Sequence, residues 1–231
     1  YRGETFGIVG ESGSGKTIMT SEPKFVPEEA VEISLSDDVH FSVRLIDCVG
    51  YMVNGAAGQF EDGSERMVTT PWFDHEISMT EAAESGTYKV INEHSTIGLV
   101  ITTDGSICDI PRADYVEPEE RVVKELKQIG KPFAVLINSR YPASDEAAAL
   151  QNELSEKYGV PCVCVNCQQL SEHELADIMN TVLGQFPISE VAIWLPSWFE
   201  ALDNEADLKT KLYQQLSASS KDLSCVHDIY S

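Results

Sequence analysis

The sequence predicts an α/β fold built on a mixed sheet, with one antiparallel strand and helices on both faces. Three observations carry that expectation. Strand-like and helix-like segments alternate from residue 80 to residue 195, as they do when parallel strands are joined by helical crossovers. Residues 31–35 and 41–46 flank the turn-rich Ser36-Asp37-Asp38-Val39, which suits a hairpin and therefore an antiparallel neighbour. The stretch FSVRLIDCVG, residues 41–50, alternates and then turns almost wholly apolar before Asp47, with Gly50 three residues on. It reads as a strand buried toward its C-terminal end and carrying a carboxylate at its tip.

In chain order, residues 5–9 (TFGIV) form a short strand ending at Gly10. GESGSGKT, residues 10–17, then satisfies the phosphate-loop pattern G-x-x-x-x-G-K-[ST] letter for letter, with Lys16 placed for β/γ-phosphates and Thr17 for a metal ion. Such a loop works by opening a helix whose N-terminus faces the phosphates. Here IMTSEPKFVPEE follows, and Pro23 and Pro27 leave room for hardly one turn before the strand at 30–35. Either this is a phosphate loop without its helix, or two segments are joined across residues absent from this chain. The second is the expectation, with Gly10 and Glu11 not bonded neighbours.

Residues 50–66 make a long loop rich in Gly, Asp and Glu whose length predicts mobility, with Thr70-Pro71-Trp72-Phe73 as its anchor. A helix is predicted over 80–93, N-capped by Thr80. A buried strand follows at 97–102, then a helix over 117–129 opened by Pro118 and closed by Gly130. Next come a strand at 133–137, a helix over 144–158 capped at Gly159, and a strand at 162–165. The capping box Ser171/Glu174 opens a helix over 171–185, and VAIWL, 191–195, reads as the last strand. A further helix is expected over 206–216. The expected division is 1–195 as a P-loop NTPase-like domain and 196–231 as a helical extension or the start of another domain.

Composition narrows the partners. In 231 residues, 38 Asp and Glu stand against 16 Lys and Arg, a formal net charge of −22. Such a surface repels nucleic acid and anionic headgroups, so neither is expected as a direct partner. A nucleotide is still accommodated where backbone N–H groups and Mg²⁺ supply local positive potential. No apolar run is long enough to span a bilayer, and no signal peptide opens the chain, as expected of a cytosolic protein or of a piece of something longer. Of the six cysteines, Cys162, Cys164 and Cys167 invite a zinc reading. On a short apolar strand, however, cysteine acts as a small hydrophobe, and no histidine or second Cys pair completes a ligand set.

The site residues follow from position. In P-loop NTPases an Asp at the place of Asp47 holds the Mg²⁺ of a bound nucleotide, and the bare N–H of a glycine at Gly50 approaches the γ-phosphate. With the hairpin, this order of elements is that of a translation-factor-related (Ras-like) P-loop NTPase. The base-reading motif Asn-Lys-x-Asp of that class becomes Asn138-Ser139-Arg140-Tyr141, which lacks the acid that pairs with guanine, so ATP is expected rather than GTP. Asn138 either contacts nucleotide or merely starts a turn. Tyr51 stands where Ras has its water-orienting glutamine and cannot do that work in the same way. Thr20 and Ser21 lie before the hairpin, where hydroxyls sense a γ-phosphate or, more blandly, make a turn. Arg112, Arg66 and Lys24 are the loop cations, unranked. The readings left open are a GTPase or ATPase switch that does not polymerise, and a structural subunit with a vestigial nucleotide site.

Longer segments carry a resemblance. GKTIMTSEPKFVPEEAVEI, VRLIDCVGYMV, RMVTTPWF, EHSTIGLVITTDGSI, EERVVKELKQIGKPF and FPISEVAIWLPSW are similar to the stage IV sporulation protein A family of endospore-forming bacteria, over nearly all of residues 1–203. The resemblance implies an ATPase of the translation-factor-related class that uses ATP and Mg²⁺ and polymerises into the basement layer of the spore coat. It implies a location on the forespore surface facing the mother-cell cytoplasm, with coat proteins and a small membrane-anchor peptide as partners. It also implies Gly10 as the first glycine of the Walker A loop, Thr20 and Ser21 on the paired sensor threonines, and Asp47 and Gly50 as Walker B and switch positions. The family's true phosphate loop precedes a Gly-Lys-Thr like that of residues 15–17, which implies that Lys16 has no phosphate role.

Overall fold

The computed structural model describes residues 4–9, 25–36, 39–56, 59–61, 63–203 and 206–229. Gly10, Lys16, Thr17, Thr20, Ser21 and Lys24 lie outside the described residues, as does the expectation about Gly10 and Glu11.

Six strands form one sheet: β1 (Glu4–Val9), β2 (Phe25–Ser36), β3 (Val39–Cys48), β4 (Ile97–Thr103), β5 (Phe133–Asn138) and β6 (Cys162–Val165), in the spatial order β6-β5-β4-β1-β3-β2. β1 runs parallel to β3 and β4, and β4, β5 and β6 continue the parallel array. β2 pairs antiparallel with β3. It begins at Phe25, five residues before the expected start, and so takes in Pro27. A proline gives no ladder N–H, but β2 is an edge strand and its register shifts between Val26 and Val31, which is where a sheet accepts one.

Five apolar side chains in succession on β5, Phe133 to Ile137, are buried, as on a strand covered on both sides. One alternating set, Phe133, Val135 and Ile137, joins a core with Val122, Val123 and Leu126 of α2 (Arg112–Gln128) and Leu154 and Tyr158 of α3 (Asp145–Tyr158). Close approach of α2 depends on Gly98 in β4. A Cβ there would lie 3.1 Å from both δ-carbons of Leu126 and 3.2 Å from Phe133 Cβ.

Helix boundaries show which local signals act. α1 (Met79–Lys89) is capped by Ser78, whose hydroxyl accepts the Glu81 N–H at 3.1 Å, so the cap lies two residues before Thr80. It runs into a π-helical turn, Val90–His94. There Lys131 donates to the carbonyls of Ile91, Asn92 (3.0 Å) and Ser95 (2.7 Å). α2 starts five residues before the predicted position and carries Pro118 inside it. Its first turn is held by Arg112, whose guanidinium meets both Glu119 oxygens at 2.9 Å, about two turns further along the same face. α3 has the expected Ser144 cap and Gly159 terminus, and the Ser171/Glu174 box opens α4 (Glu172–Leu183) with reciprocal bonds of 3.2 and 2.9 Å. The long loop after Gly50 contains a short hairpin, Phe60–Glu61 with Ser64–Glu65, and a second, Met67–Val68 with Ile77–Ser78, follows it.

Contacts divide the chain into two compact units, Tyr1–Val182 and Leu183–Ser231. The expected strand VAIWL is not one. Val191, Ile193 and Trp194 are exposed, and among the described residues this run pairs with no strand. It is bracketed by Pro187 and Pro196, and a short apolar run becomes a strand only where a partner edge receives it. Within the second unit, Phe199 of α5 (Ser197–Glu200) is buried edge-on to Trp198 and to Tyr213 of α6 (Asp207–Ser219), at centroid distances of 5.8 and 6.1 Å. Pro187 bridges Cys225.

Candidate functional site

Parallel strands present their carboxyl ends on one edge, and in open α/β sheets ligands bind there. Val9 ends β1 between Cys48 of β3 and Val100 of β4, with Asp47 opposite Ile8. Asp47 is exposed at this edge. Burial on its inner side raises its carboxyl above the ordinary 3.8, opposed by the Cys48 backbone N–H. Gly50 is buried with φ +78°, a left-handed conformation that a side chain would strain. The carboxylate is thus the second-last residue of β3 and the glycine follows two residues past its end.

Tyr51 is turned away from that edge. It is buried, its hydroxyl donates to Glu125, and its ring lies under the Arg121 guanidinium at 4.0 Å from the centroid. Burial and the Glu125 carboxylate push its phenol well above the usual range. Arg121 in turn forks onto Glu84 of α1 at 2.6 and 3.0 Å.

A second polar cluster sits where β4, β5 and β6 end. Asp104 accepts from the Ser106 hydroxyl (2.6 Å) and N–H (2.9 Å) and from the Ser139 hydroxyl (2.6 Å). Ser106 Oγ takes the Arg140 N–H at 2.8 Å and Ser139 Oγ takes that of Tyr141 at 2.9 Å, so one carboxylate fixes the loops after both strands. Burial pushes the Asp104 carboxyl up, but the Ser106 and Ser139 bonds outweigh it and leave it below 3.8. Asn138 Oδ1 accepts the Cys167 N–H at 3.0 Å and ties the β6 loop to β5. Tyr141, in the place of the guanine-reading acid, is exposed.

The structure therefore keeps Asp47 and Gly50 three residues apart around the end of β3 and places Asn138 on the same edge, three strand spacings away, about 14 Å. Thr20, Ser21 and Gly10 lie outside the described residues. Of the loop cations, Arg112 is committed to Glu119, while Arg66 is half-buried, 3.9 Å from Glu61. Sequence reasoning passed over Asp104, Ser106 and Ser139. The signal available was TTDGS directly after a buried strand, an Asx-turn composition at a sheet's carboxyl end.

An acid-tipped strand, a left-handed glycine after it and an asparagine-tipped strand share one carboxyl edge of a mixed α/β sheet, and the class is set by the family match: a nucleotide-using P-loop NTPase. A family model described as Stage IV sporulation protein A, ATPase domain, matches residues 4–187. The chain belongs to that family. It is 48% identical over 219 residues to stage IV sporulation protein A of Clostridioides difficile (strain 630), covering 95% of this chain and 45% of the relative. The corresponding figures are 45% identity, 95% and 44% for the Bacillus subtilis (strain 168) protein, and 44% identity, 95% and 44% for that of Bacillus anthracis. The chain spans about half the length of the curated relatives it matches.

Proposed function

We propose that this domain binds and hydrolyses ATP with Mg²⁺, and that the protein containing it self-assembles into the basement layer of the spore coat, on the forespore surface facing the mother-cell cytoplasm. The observation that carries the chemistry is Asp47 exposed beside the carboxyl end of β1, with Gly50 buried at φ +78° three residues on. The strand order, with one antiparallel edge strand, supports a Ras-like, translation-factor-related member of the class.

Asp47 suits Mg²⁺. Among the described residues no three His, Cys, Asp or Glu gather into a metal cluster, and Mg²⁺ is commonly held by one or two carboxylates, water and substrate phosphates. When bound, the ion neutralises charge developing between the β- and γ-phosphates. Asp47 holds it, the Gly50 N–H meets the γ-phosphate, and Thr20 and Ser21 sense that phosphate. Asn138 fixes the loops at the base end. Adenine is preferred because Tyr141 stands where a guanine-reading carboxylate would be. The described residues contain no helix long and apolar enough to cross a membrane, and a chain at −22 does not seek anionic lipid. In this reading a small membrane-anchor peptide joins the assembly to the forespore, and other coat proteins build on it.

The test is turnover of ATP and GTP together with nucleotide-dependent sedimentation, on full-length protein. ATP is expected to compete better than GTP, and Asp47→Asn to lower turnover on the order of a hundredfold, the scale of losing a metal's charge stabilisation. Tighter GTP binding, or wild-type turnover in Asp47→Asn, would overturn the chemistry. Protein that stays soluble with every nucleotide would overturn the assembly.

A further inference from the structure

Between β3 and the helices runs an unbroken set of contacts that the proposed chemistry does not use. It starts at Tyr51, the residue covalently next to Gly50. The Tyr51 ring is held by the Arg121 guanidinium at 4.0 Å and its hydroxyl by Glu125, both on α2. Arg121 reaches across to α1 through two bonds to Glu84, and its Nε lies 3.6 Å from Glu125. Two residues beyond Glu84, Gly86 is covered by the Trp72 indole, so close that a Cβ on Gly86 would lie 3.4 Å from Trp72 Cη2. Tyr51, Arg121, Glu84 and Trp72 line one groove of about 500 Å³.

We propose that Tyr51 is a positioning residue that sets Gly50 through Arg121, and that the same contacts carry any displacement of Gly50 to α1 and Trp72. This rests on the reading of Gly50 as the γ-phosphate contact. A left-handed glycine is conformationally permissive, so its position is determined by its neighbours. On the C-terminal side that neighbour is a buried aromatic ring fixed at its face by a cation and at its tip by a carboxylate. An arginine forked onto a carboxylate is geometrically stiff, unlike a lysine in the same place. A shift of the Gly50 peptide toward a phosphate must therefore slide the ring under Arg121 or drag Arg121 along, and Glu84 and α1 go with it. Glutamine at this position in Ras acts on water directly. Tyrosine here acts through helices instead.

The experiment uses full-length protein in which every tryptophan except Trp72 is replaced by Phe. Emission is compared between ADP and a non-hydrolysable ATP analogue, with nucleotide affinity, kcat and melting temperature measured alongside. Tyr51→Phe keeps the ring and removes the hydroxyl bond, and Arg121→Met removes the fork and the stacked cation. Tyr51→Phe is expected to fold whether or not Arg121→Met does, and Arg121→Lys tests partial rescue. The parent is expected to distinguish the two nucleotides by Trp72 emission. Arg121→Met is expected to lose that difference and about tenfold in kcat, the scale of one charge-assisted contact, with ADP affinity unchanged within twofold. Tyr51→Phe should fall in the same direction by less, and Arg121→Lys should recover part of the difference. If all three variants keep wild-type kcat and the Trp72 difference while ATP is still hydrolysed, the positioning role is refuted and the ATPase reading stands. If the parent neither binds nor hydrolyses ATP, both fall.

Discussion

Gly98→Ala is a one-carbon change whose cost follows from three distances. The added Cβ would meet both δ-carbons of Leu126 at 3.1 Å and the Phe133 Cβ at 3.2 Å. Carbon atoms rest at about 3.5–4.0 Å, so each contact is roughly half an ångström short. Leu126 is fully buried and has no solvent to move into, and the Phe133 Cβ belongs to the neighbouring strand. Relief therefore requires α2 to retreat from the sheet. Overpacking of this kind costs about 1–3 kcal/mol, against about 0.5–1 kcal/mol gained by restricting the unfolded chain. The net expectation is a loss of up to about 2.5 kcal/mol, centred near about 1 kcal/mol, or a fall of about 2–4 °C in Tm at that centre for a chain of this size. Thermal melts followed by circular dichroism measure it. Leu126→Ala alone should cost about 2–5 kcal/mol, and the double variant less than the sum, because the first change fills part of the space the second opens. A Gly98→Ala protein that melts at or above the parent temperature, or strictly additive costs, would refute the packing account.

Replacing Thr20 and Ser21 together by Ala should lower ATP turnover more than ATP affinity; equal turnover in the double variant would return them to an ordinary turn. The Asp104 carboxyl lies below its ordinary 3.8, so its contribution to stability is present above that value and is lost as pH falls through the lower folded value. Urea titrations between pH 6 and roughly pH 3 should show a steeper acid loss in the parent than in Ser139→Ala, and parallel curves would contradict this. Burial pushes the Cys48 thiol up to about 12 and also raises that of the buried Cys162, whereas Cys108 is exposed. Maleimide at pH 8 should therefore label Cys108 in the native protein and Cys48 and Cys162 only after unfolding, as read by mass spectrometry; native labelling of Cys48 would be inconsistent with its environment.

What the sequence discloses depends on whether a signal is local. The strands at 133–137 and 162–165, the Ser144 and Ser171 caps and the Gly159 terminus were legible because each is determined by a few adjacent residues. The start of α2 was not. Pro118 looks like a first-turn proline, but the helix is extended backward through Arg112, whose partner Glu119 is recognisable only once the helix exists. VAIWL satisfied every local criterion for a strand and failed on the one that is not local, a partner edge. At the site, Asp47 and Gly50 were readable from spacing along one strand. Asp104 with Ser139, and Tyr51 with Arg121, join residues 35 and 70 positions apart, and no pattern within a single segment encodes such pairs.

Lys131 gives α1 unequal ends. Its ammonium occupies three carbonyls where the π-helical turn closes, at Ile91, Asn92 and Ser95, and burial lowers its pKa without removing that fit. The opposite end is held by separate single bonds: the Ser78 hydroxyl accepts the Glu81 N–H, the Met79 N–H donates to the Arg66 carbonyl at 2.8 Å and the Thr80 hydroxyl donates to Glu65 at 3.3 Å. A charged clamp at one end and bonds to short two-residue strands at the other make α1 a lever with its fulcrum at the C-terminus. A helix of 11 residues is about 16 Å long, so a tilt of a few degrees about that fulcrum displaces the Ser78 end by about an ångström while the clamped end hardly moves. Glu84, near mid-span, travels about half as far, and the surface displaced most is the short hairpin that Ile77–Ser78 forms with Met67–Val68.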